Sequence, residues 1–375
     1  MNPYALDILD GYLRAQGIWA ALVSNPFTLT WLTGYAAPIE TGPSPFEGGP
    51  ALGWVQTGEV TLVVSNLETA SASACGAKVQ EYVGYTIDEP LRGTRQMSEA
   101  LGAVLKGRAG ARGRVGVEMD TLAAPLLTSL AEALPRCGLA PVDEAVAGLR
   151  AVKSSEEIAK LRKVLAVCDQ AQAIVRHCLR AGASELELWG QVRGEIEARV
   201  GGRLPALVDF VAGPRTAEIG GPPGGYVLRE GDALMLDFVA RLDGYWGDNT
   251  DMHPVGTMSE PLAGAYRTAR EALQSGIDAV RPGQPAGEID GRMRAFVRRA
   301  GFDPYPHHSG HGIGTSYHEE PRIVPYNTSP LKPGMVLALE PGIYLPGIGG
   351  VRVEDVVLVT DDGAEVLTRH LARLD

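Results

Sequence analysis

The sequence predicts two domains, an α/β one over residues 1–150 and an α+β one over 151–375, with the chemistry in the second. Three observations carry this. The length, 375 residues, is more than one hydrophobic core usually organises. Near residue 150, Leu149-Arg-Ala-Val-Lys153 runs into Ser154-Ser-Glu-Glu157, a capping-box spacing that opens a long helix. Finally, the last third holds five potential metal ligands in short, distinctive contexts: Asp237, Asp248, His311, Glu340 and Glu354.

The N-terminal elements follow from local pattern. Ala20-Ala-Leu-Val23 and Val60-Thr-Leu-Val-Val64 are short apolar, β-branched-rich runs bounded by polar residues or glycine, as buried strands are. Apolar residues recur at helical spacing around 97–106 and 120–134. Gly and Pro crowd the stretch from Pro38 to Pro50, which predicts a long irregular loop, a candidate lid or subunit contact. Beyond the boundary, the Ser154-capped helix should run to about Leu179. Ser184-Glu-Leu-Glu187 opens another toward Val200. A Gly/Pro-rich region (213–225), strands around 233–256, and helices over about 261–279 and 286–300 come next. Further strands carry His311 and the two glutamates.

Composition excludes several classes. Hydrophobic content of 45% and charged content of 21% are ordinary for a globular enzyme. The net charge of −11 argues against nucleic acid and anionic membranes as partners. Four cysteines with no Cys-x-x-Cys pair predict free thiols in a reducing compartment. No signal peptide or bilayer-length apolar run is evident, so a cytoplasmic location is expected.

The five-residue set is best explained by two divalent cations. Ions held roughly 3.5–4 Å apart repel each other and need several anionic bridges. Asp237 and Asp248 lie on β-like runs flanking Leu242-Asp243-Gly244, a hairpin signal. With the turn near Leu242-Asp243 they would sit directly opposite on one face, with Thr250 placed to hydrogen-bond a ligand carboxylate. Glycines on both sides of His311 allow close approach to an ion, and four of the seven histidines fall within residues 307–318. His318 is then free to donate a hydrogen bond or move a proton. Glu340 and Glu354 sit in strand-like apolar runs, where a glutamate needs a partner, most simply a cation. Arg352, on the face of Glu354, would hold a substrate carboxylate or carbonyl, or pair with a nearby acid.

At these residues the chain resembles the metal-dependent Xaa-Pro peptidases, the prolidase and aminopeptidase P group with the pita-bread fold. The resemblance rests on the Leu149-Arg-x-x-Lys153-Ser-x-x-Glu157-Ile helix entry, the hairpin aspartates, Gly310-His311-Gly, His318-Glu-Glu-Pro, Glu340-Pro-Gly and Arg352-Val-Glu354-Asp355. Ser24-Asn-Pro26 and Leu32-Thr-Gly34-Tyr35 resemble the non-catalytic, creatinase-type N-domain of the same group. The likeness implies two metal ions (Mn foremost, Co or Zn otherwise) and a metal-bridging hydroxide attacking the bond before proline in dipeptides or short peptides. It makes Glu340 the general base, His318 a donor to the substrate carbonyl or oxyanion, and His307 a supporting neighbour. It also implies a homodimer, with the N-domain serving dimerisation and blocking one end of the site.

Two departures stand out. The group usually carries a histidine after the Gly-rich turn upstream of the first aspartate, whereas 212–225 contains none. An arginine commonly follows the threonine of the second aspartate motif, but Asp251 follows Thr250 here. His253 or Arg215 are the nearest stand-ins. A different C–N hydrolase on the same scaffold, acting on a non-proline small molecule, is the alternative expectation.

Overall fold

The computed structural model describes residues 1–38 and 48–370. Most of the expected 38–50 loop, and with it the candidate lid or subunit contact, lies outside the described residues. Backbone contacts divide the chain into Met1–Arg150 and Ala151–Asp375.

The first unit is built on six strands: β1 (Ile18–Val23), β2 (Leu52–Gln56), β3 (Glu59–Ser65), β4 (Lys78–Tyr82), β5 (Gly113–Val117) and β6 (Cys137–Pro141). Their order is β4-β3-β2-β1-β5-β6, antiparallel across β1–β2–β3 and parallel toward both edges. Apolar clusters pack on both faces, which explains the near-continuous apolar runs of the central strands. Ser24-Asn-Pro26 marks a helix start: the Asn25 side chain caps Phe27 N–H, and Pro26 begins Pro26–Thr33. Gly34 ends that helix with φ +77°, the left-handed cap that glycine accepts without strain. The helix expected over 120–134 is Ala124–Ala133, delayed to the proline at its first turn.

In the second unit both capping boxes form, starting helices Ser155–Cys178 and Glu185–Val200. Three strands follow: β7 (Ala206–Ala212), β8 (Ala233–Leu242) and β9 (Tyr245–Gly247); β10 (Thr250–Pro254) completes a sheet ordered β10-β8-β7, with β9 also paired to β8. The Gly/Pro-rich region opens with a 3₁₀ turn, Gly213–Glu218, which glycine and proline density alone did not reveal. Helices Glu260–Ile277 and Ala286–Arg299 precede β11 (Gly310–Gly312), β12 (Glu319–Ile323) and β13 (Val336–Leu339). The last strands are β14 (Gly342–Leu345), β15 (Gly349–Arg352), β16 (Asp355–Val359) and β17 (Ala364–Val366). They form a β12-β11-β13-β16-β17 sheet and a β14–β15 ribbon. No helix among the described residues is long and apolar enough to cross a membrane.

Candidate metal centre

The hairpin register differs from expectation by two residues. The turn falls at Asp243-Gly244, both with positive φ (49° and 84°), so Leu242 faces Tyr245. Thr250, not Asp248, therefore lies opposite Asp237. A two-residue shift preserves the face, because side chains alternate with period two, and Asp248 still points to the side of Asp237 and Thr250.

That face meets β11, β13 and the segment after β15. One ligand atom each from Asp248, His311 and Glu354 lie within 4.8 Å of one another, and all three residues are buried. The Nε2 of His311 is 3.7 Å from Asp248 Oδ2 and 3.7 Å from Glu340 Oε1. Its Nδ1 lies 2.9 Å from the Gly312 carbonyl. A proton on Nδ1 donated there leaves the Nε2 lone pair facing the acids, the tautomer a ligand needs. Thr250 Oγ1 donates to Glu354 Oε2 at 2.8 Å. Asp237 lies beside the cluster with one oxygen held by Arg352.

The electrostatics fit a cation. Asp237 Oδ1, Asp248 Oδ1 and Glu354 Oε1 are buried with no hydrogen-bond partner, an expensive arrangement for carboxylates unless a positive charge completes it. Burial, reinforced by the neighbouring acids, pushes Asp237 up to about 6. Burial and then neighbouring acids also push Asp248 and Glu354 well above the carboxylate range. Glu340 goes the other way. Burial would raise it, but the close approach of His308 and the nearby imidazoles of His311, His308 and His307 outweigh that, taking it down to about 2.

The remaining histidines surround Glu340. His308 Nδ1 is 3.1 Å from its Oε1, and His307 Nδ1 is 3.9 Å from its Oε2. His307 is itself tethered, Nδ1 to the His308 carbonyl at 2.8 Å and Nε2 to the Tyr344 hydroxyl at 2.9 Å. The exposed His318 sits with its ring centre 4.2 Å from that of His311. Arg352 has partners of its own: it donates to Asp209, Asp237 and the Ile219 carbonyl. The two stand-ins are committed elsewhere. His253 is buried against Gln172 (2.7 Å), and Arg215 pairs with the buried Glu185. Asp251, where an arginine was expected, accepts from Tyr266 and pairs with Arg176.

Three residues near the site were not read as site residues from the sequence. Lys153 and Glu319 form a buried ion pair at 2.9 Å, and Glu319 also accepts from Ser316 N–H at 3.0 Å. The pair pins the turn that presents His318. Its signal was present, a lysine and a glutamate each inside a recognisable motif, but nothing local links positions so far apart. Arg322, exposed on β12 four residues beyond His318, contributes its charge at both His311 and His318.

Residues 159–361 match the profile of metallopeptidase family M24, and residues 6–152 that of the creatinase/prolidase N-terminal domain. The chain belongs to metallopeptidase family M24. It is a metal-dependent peptidase with the pita-bread fold behind a creatinase-type N-domain. The Xaa-Pro dipeptidase of Lactobacillus helveticus is 30% identical over 375 residues, covering 97% of this chain and 96% of that protein. The Xaa-Pro dipeptidase of Pyrococcus furiosus is 35% identical over 230 residues, 61% of this chain and 66% of the other. Among solved structures, an Xaa-Pro dipeptidase from Bacillus anthracis superposes with a TM-score of 0.83 at 26% identity, covering 99% of this chain and 98% of that one.

Proposed function

We propose that this M24 peptidase cleaves the bond before proline in Xaa-Pro dipeptides, using two divalent metal ions. The observation that carries the reading is the set of buried, unpartnered carboxylate oxygens on Asp237, Asp248 and Glu354 beside the Nε2 of His311. Xaa-Pro dipeptidases spanning nearly the whole chain support the substrate class.

Asp237, Asp248, His311, Glu340 and Glu354 would hold the ions, manganese first, since four carboxylates to one imidazole make an oxygen-rich set that suits it. When bound, the ions supply a nucleophile from water at neutral pH by lowering its pKa. Glu340, whose Oε1 lies 3.7 Å from the Nε2 of His311, takes the proton as general base. His318, exposed beside His311, donates to the substrate carbonyl oxygen as negative charge develops there. His307 holds its place by its bond to Tyr344 and orders the Glu340 side of the site. Arg322, an exposed cation on β12 four residues beyond His318, would receive the carboxylate that ends a dipeptide. A cytoplasmic homodimer completes the reading, supported by free thiols at Cys75, Cys137, Cys168 and Cys178 and, for the dimer, by the family likeness alone.

The test is hydrolysis of a matched Xaa-Pro dipeptide and Xaa-Pro-Xaa tripeptide in Mn²⁺, with chelator-stripped enzyme, Glu340→Gln and Arg322→Ala alongside. The expected result is metal-dependent cleavage favouring the dipeptide, reduced about 10²–10⁴-fold in Glu340→Gln. Arg322→Ala should raise KM for the dipeptide more than it lowers kcat. A protein that binds two metals yet cleaves neither peptide would transfer the reading to a non-proline C–N substrate. The histidine-free 212–225 segment is the observation that keeps that second reading in play.

A further inference from the structure

Arg352 presents an electrostatic difficulty. Its guanidinium is buried and bonded directly to Asp237, one of the four acids that, with one imidazole, are read as metal ligands. A guanidinium paired with that carboxylate alone would form a neutral couple at the position where a cation needs negative charge. The structure supplies a second acid. Asp209 on β7 is the register partner of Asp237 on β8, and Arg352 Nη2 reaches Asp209 Oδ2 at 2.7 Å as well. The trio of Asp209, Arg352 and Asp237 carries one net negative charge rather than none. Asp237 Oδ1 stays without a partner, available to a cation.

The loop above is shaped around this bridge. Arg352 Nη1 donates to the Ile219 carbonyl at 2.9 Å, and Gly221 N–H donates to Asp209 Oδ1 at 2.9 Å. Ile219 adopts φ +79°, ψ −44°, a conformation that β-branched residues avoid, so the surrounding contacts must hold it there. Between them, a Cβ on Gly220 would fall 2.0 Å from Asp209 Oδ2. The Asp209 carboxylate thus takes the space that any side chain at 220 would need. Both Asp209 oxygens are used, yet its side chain is 32% exposed, so it stands at the rim of the site rather than in the core.

We infer that Asp209 is a positioning residue for the metal centre: it shares Arg352 with Asp237, so that the guanidinium orients Asp237 without neutralising it. The inference rests on the two-metal reading above and adds a group outside the ligand set. It requires Gly220 and an acid at 209 together.

The experiment is a calorimetric Mn²⁺ titration of chelator-stripped wild type, Asp209→Asn, Asp209→Glu and Gly220→Ala, with the melting temperature of each metal-free protein. Asn keeps an acceptor for Gly221 N–H and the side-chain shape, so the fold should be retained while the charge is lost. The expected result is affinity at one site weakened about 10–100-fold in Asp209→Asn, the range for groups that support a ligand from behind. Its metal-free melting temperature should be unchanged, its kcat should be restored by excess Mn²⁺, and Asp209→Glu should recover part of the affinity. Gly220→Ala should weaken the same site with no change of charge, by displacing Asp209. Wild-type affinity in Asp209→Asn would overturn the inference. So would equal losses in Asp209→Asn and Asp209→Glu that track a lowered metal-free melting temperature, since that marks a structural role. A wild type that binds no Mn²⁺ would instead sink the two-metal reading, and this inference with it.

Discussion

Buried carboxylates occur in both units, and Glu118 of the first and the metal-site acids of the second are treated in opposite ways. In the first unit, Glu118 is 2% exposed and fully supplied with donors. Its Oε2 accepts the Ser24 and Asn25 N–H groups at 2.8 Å each, and its Oε1 accepts the Thr28 hydroxyl. In the second, Asp248 and Glu354 are equally buried, yet each keeps an oxygen with no donor at all, and the charges of neighbouring acids add to the cost. Burial is the largest cause of a raised pKa in both places. What separates them is compensation. Glu118 is balanced by dipoles that the fold itself provides, whereas the cluster is balanced only when something positive arrives. A buried acid is thus informative about function when its lone pairs are left over, not merely when it is buried.

The sharpest way to break this comparison is to neutralise one acid of each kind. Glu354→Gln should cost at least about 10²-fold in metal affinity and in hydrolysis, more than a supporting group would cost. It should also raise the melting temperature of the metal-free protein, because one member of a mutually repelling set is gone. Glu118→Gln should leave metal affinity unchanged. Manganese titration and thermal melts of the two variants side by side read both effects. A metal-free Glu354→Gln that is less stable than wild type would place the cluster in the same class as Glu118.

Much of this contrast was legible in the sequence, and the illegible part has a physical reason. The two capping boxes, the domain boundary and the ligand contexts are encoded by residues within a few positions of one another, so local pattern reaches them. The hairpin was visible from Asp243-Gly244, but its register was not. Choosing between turn centres one residue apart depends on which residues take positive φ, and Asp243 and Gly244 both do. The Lys153–Glu319 pair and the Asp209–Arg352–Asp237 bridge join residues far apart in sequence, and only the folded sheets bring them together. Glu118 was equally invisible: one glutamate after a strand says nothing about three donors waiting in Ser24-Asn25 and Thr28.

A smaller effect comes from deleting the satisfied acid altogether. Glu118→Ala leaves two backbone N–H groups and one hydroxyl buried without an acceptor. Each unsatisfied donor costs about 1–3 kcal/mol, and because the loop can relax, a total of about 3 kcal/mol is the expectation. Urea unfolding should show that loss, with manganese affinity retained in the protein that remains folded. A change below about 1 kcal/mol would mean that water reaches these donors, and Glu118 would no longer serve as the satisfied member of the pair.

The smallest effect is the dependence of metal-free stability on pH, and its sign distinguishes the cluster from an ordinary set of salt-bridged acids. Asp237 is raised in the fold to about 6, and Asp248 and Glu354 are raised as well. A carboxylate with a raised folded pKa contributes stability that is fully present below its unfolded value, near 4, and is lost as pH rises through the folded value. The chelator-stripped protein should therefore lose stability between about pH 4 and 8, on the order of 2 kcal/mol after the coupled charges relax. Salt-bridged acids with lowered pKa values would give the opposite slope, stability gained over the lower part of that range. Cations replace the protons that the cluster sheds, so the rise in melting temperature on adding Mn²⁺ should be larger at pH 8 than at pH 5. Melts of stripped and manganese-loaded protein at the two pH values give both slopes from one set of samples. If stripped protein grew more stable toward pH 8, the leftover oxygens of Asp237, Asp248 and Glu354 would have donors after all, and the division between the two kinds of buried acid would collapse.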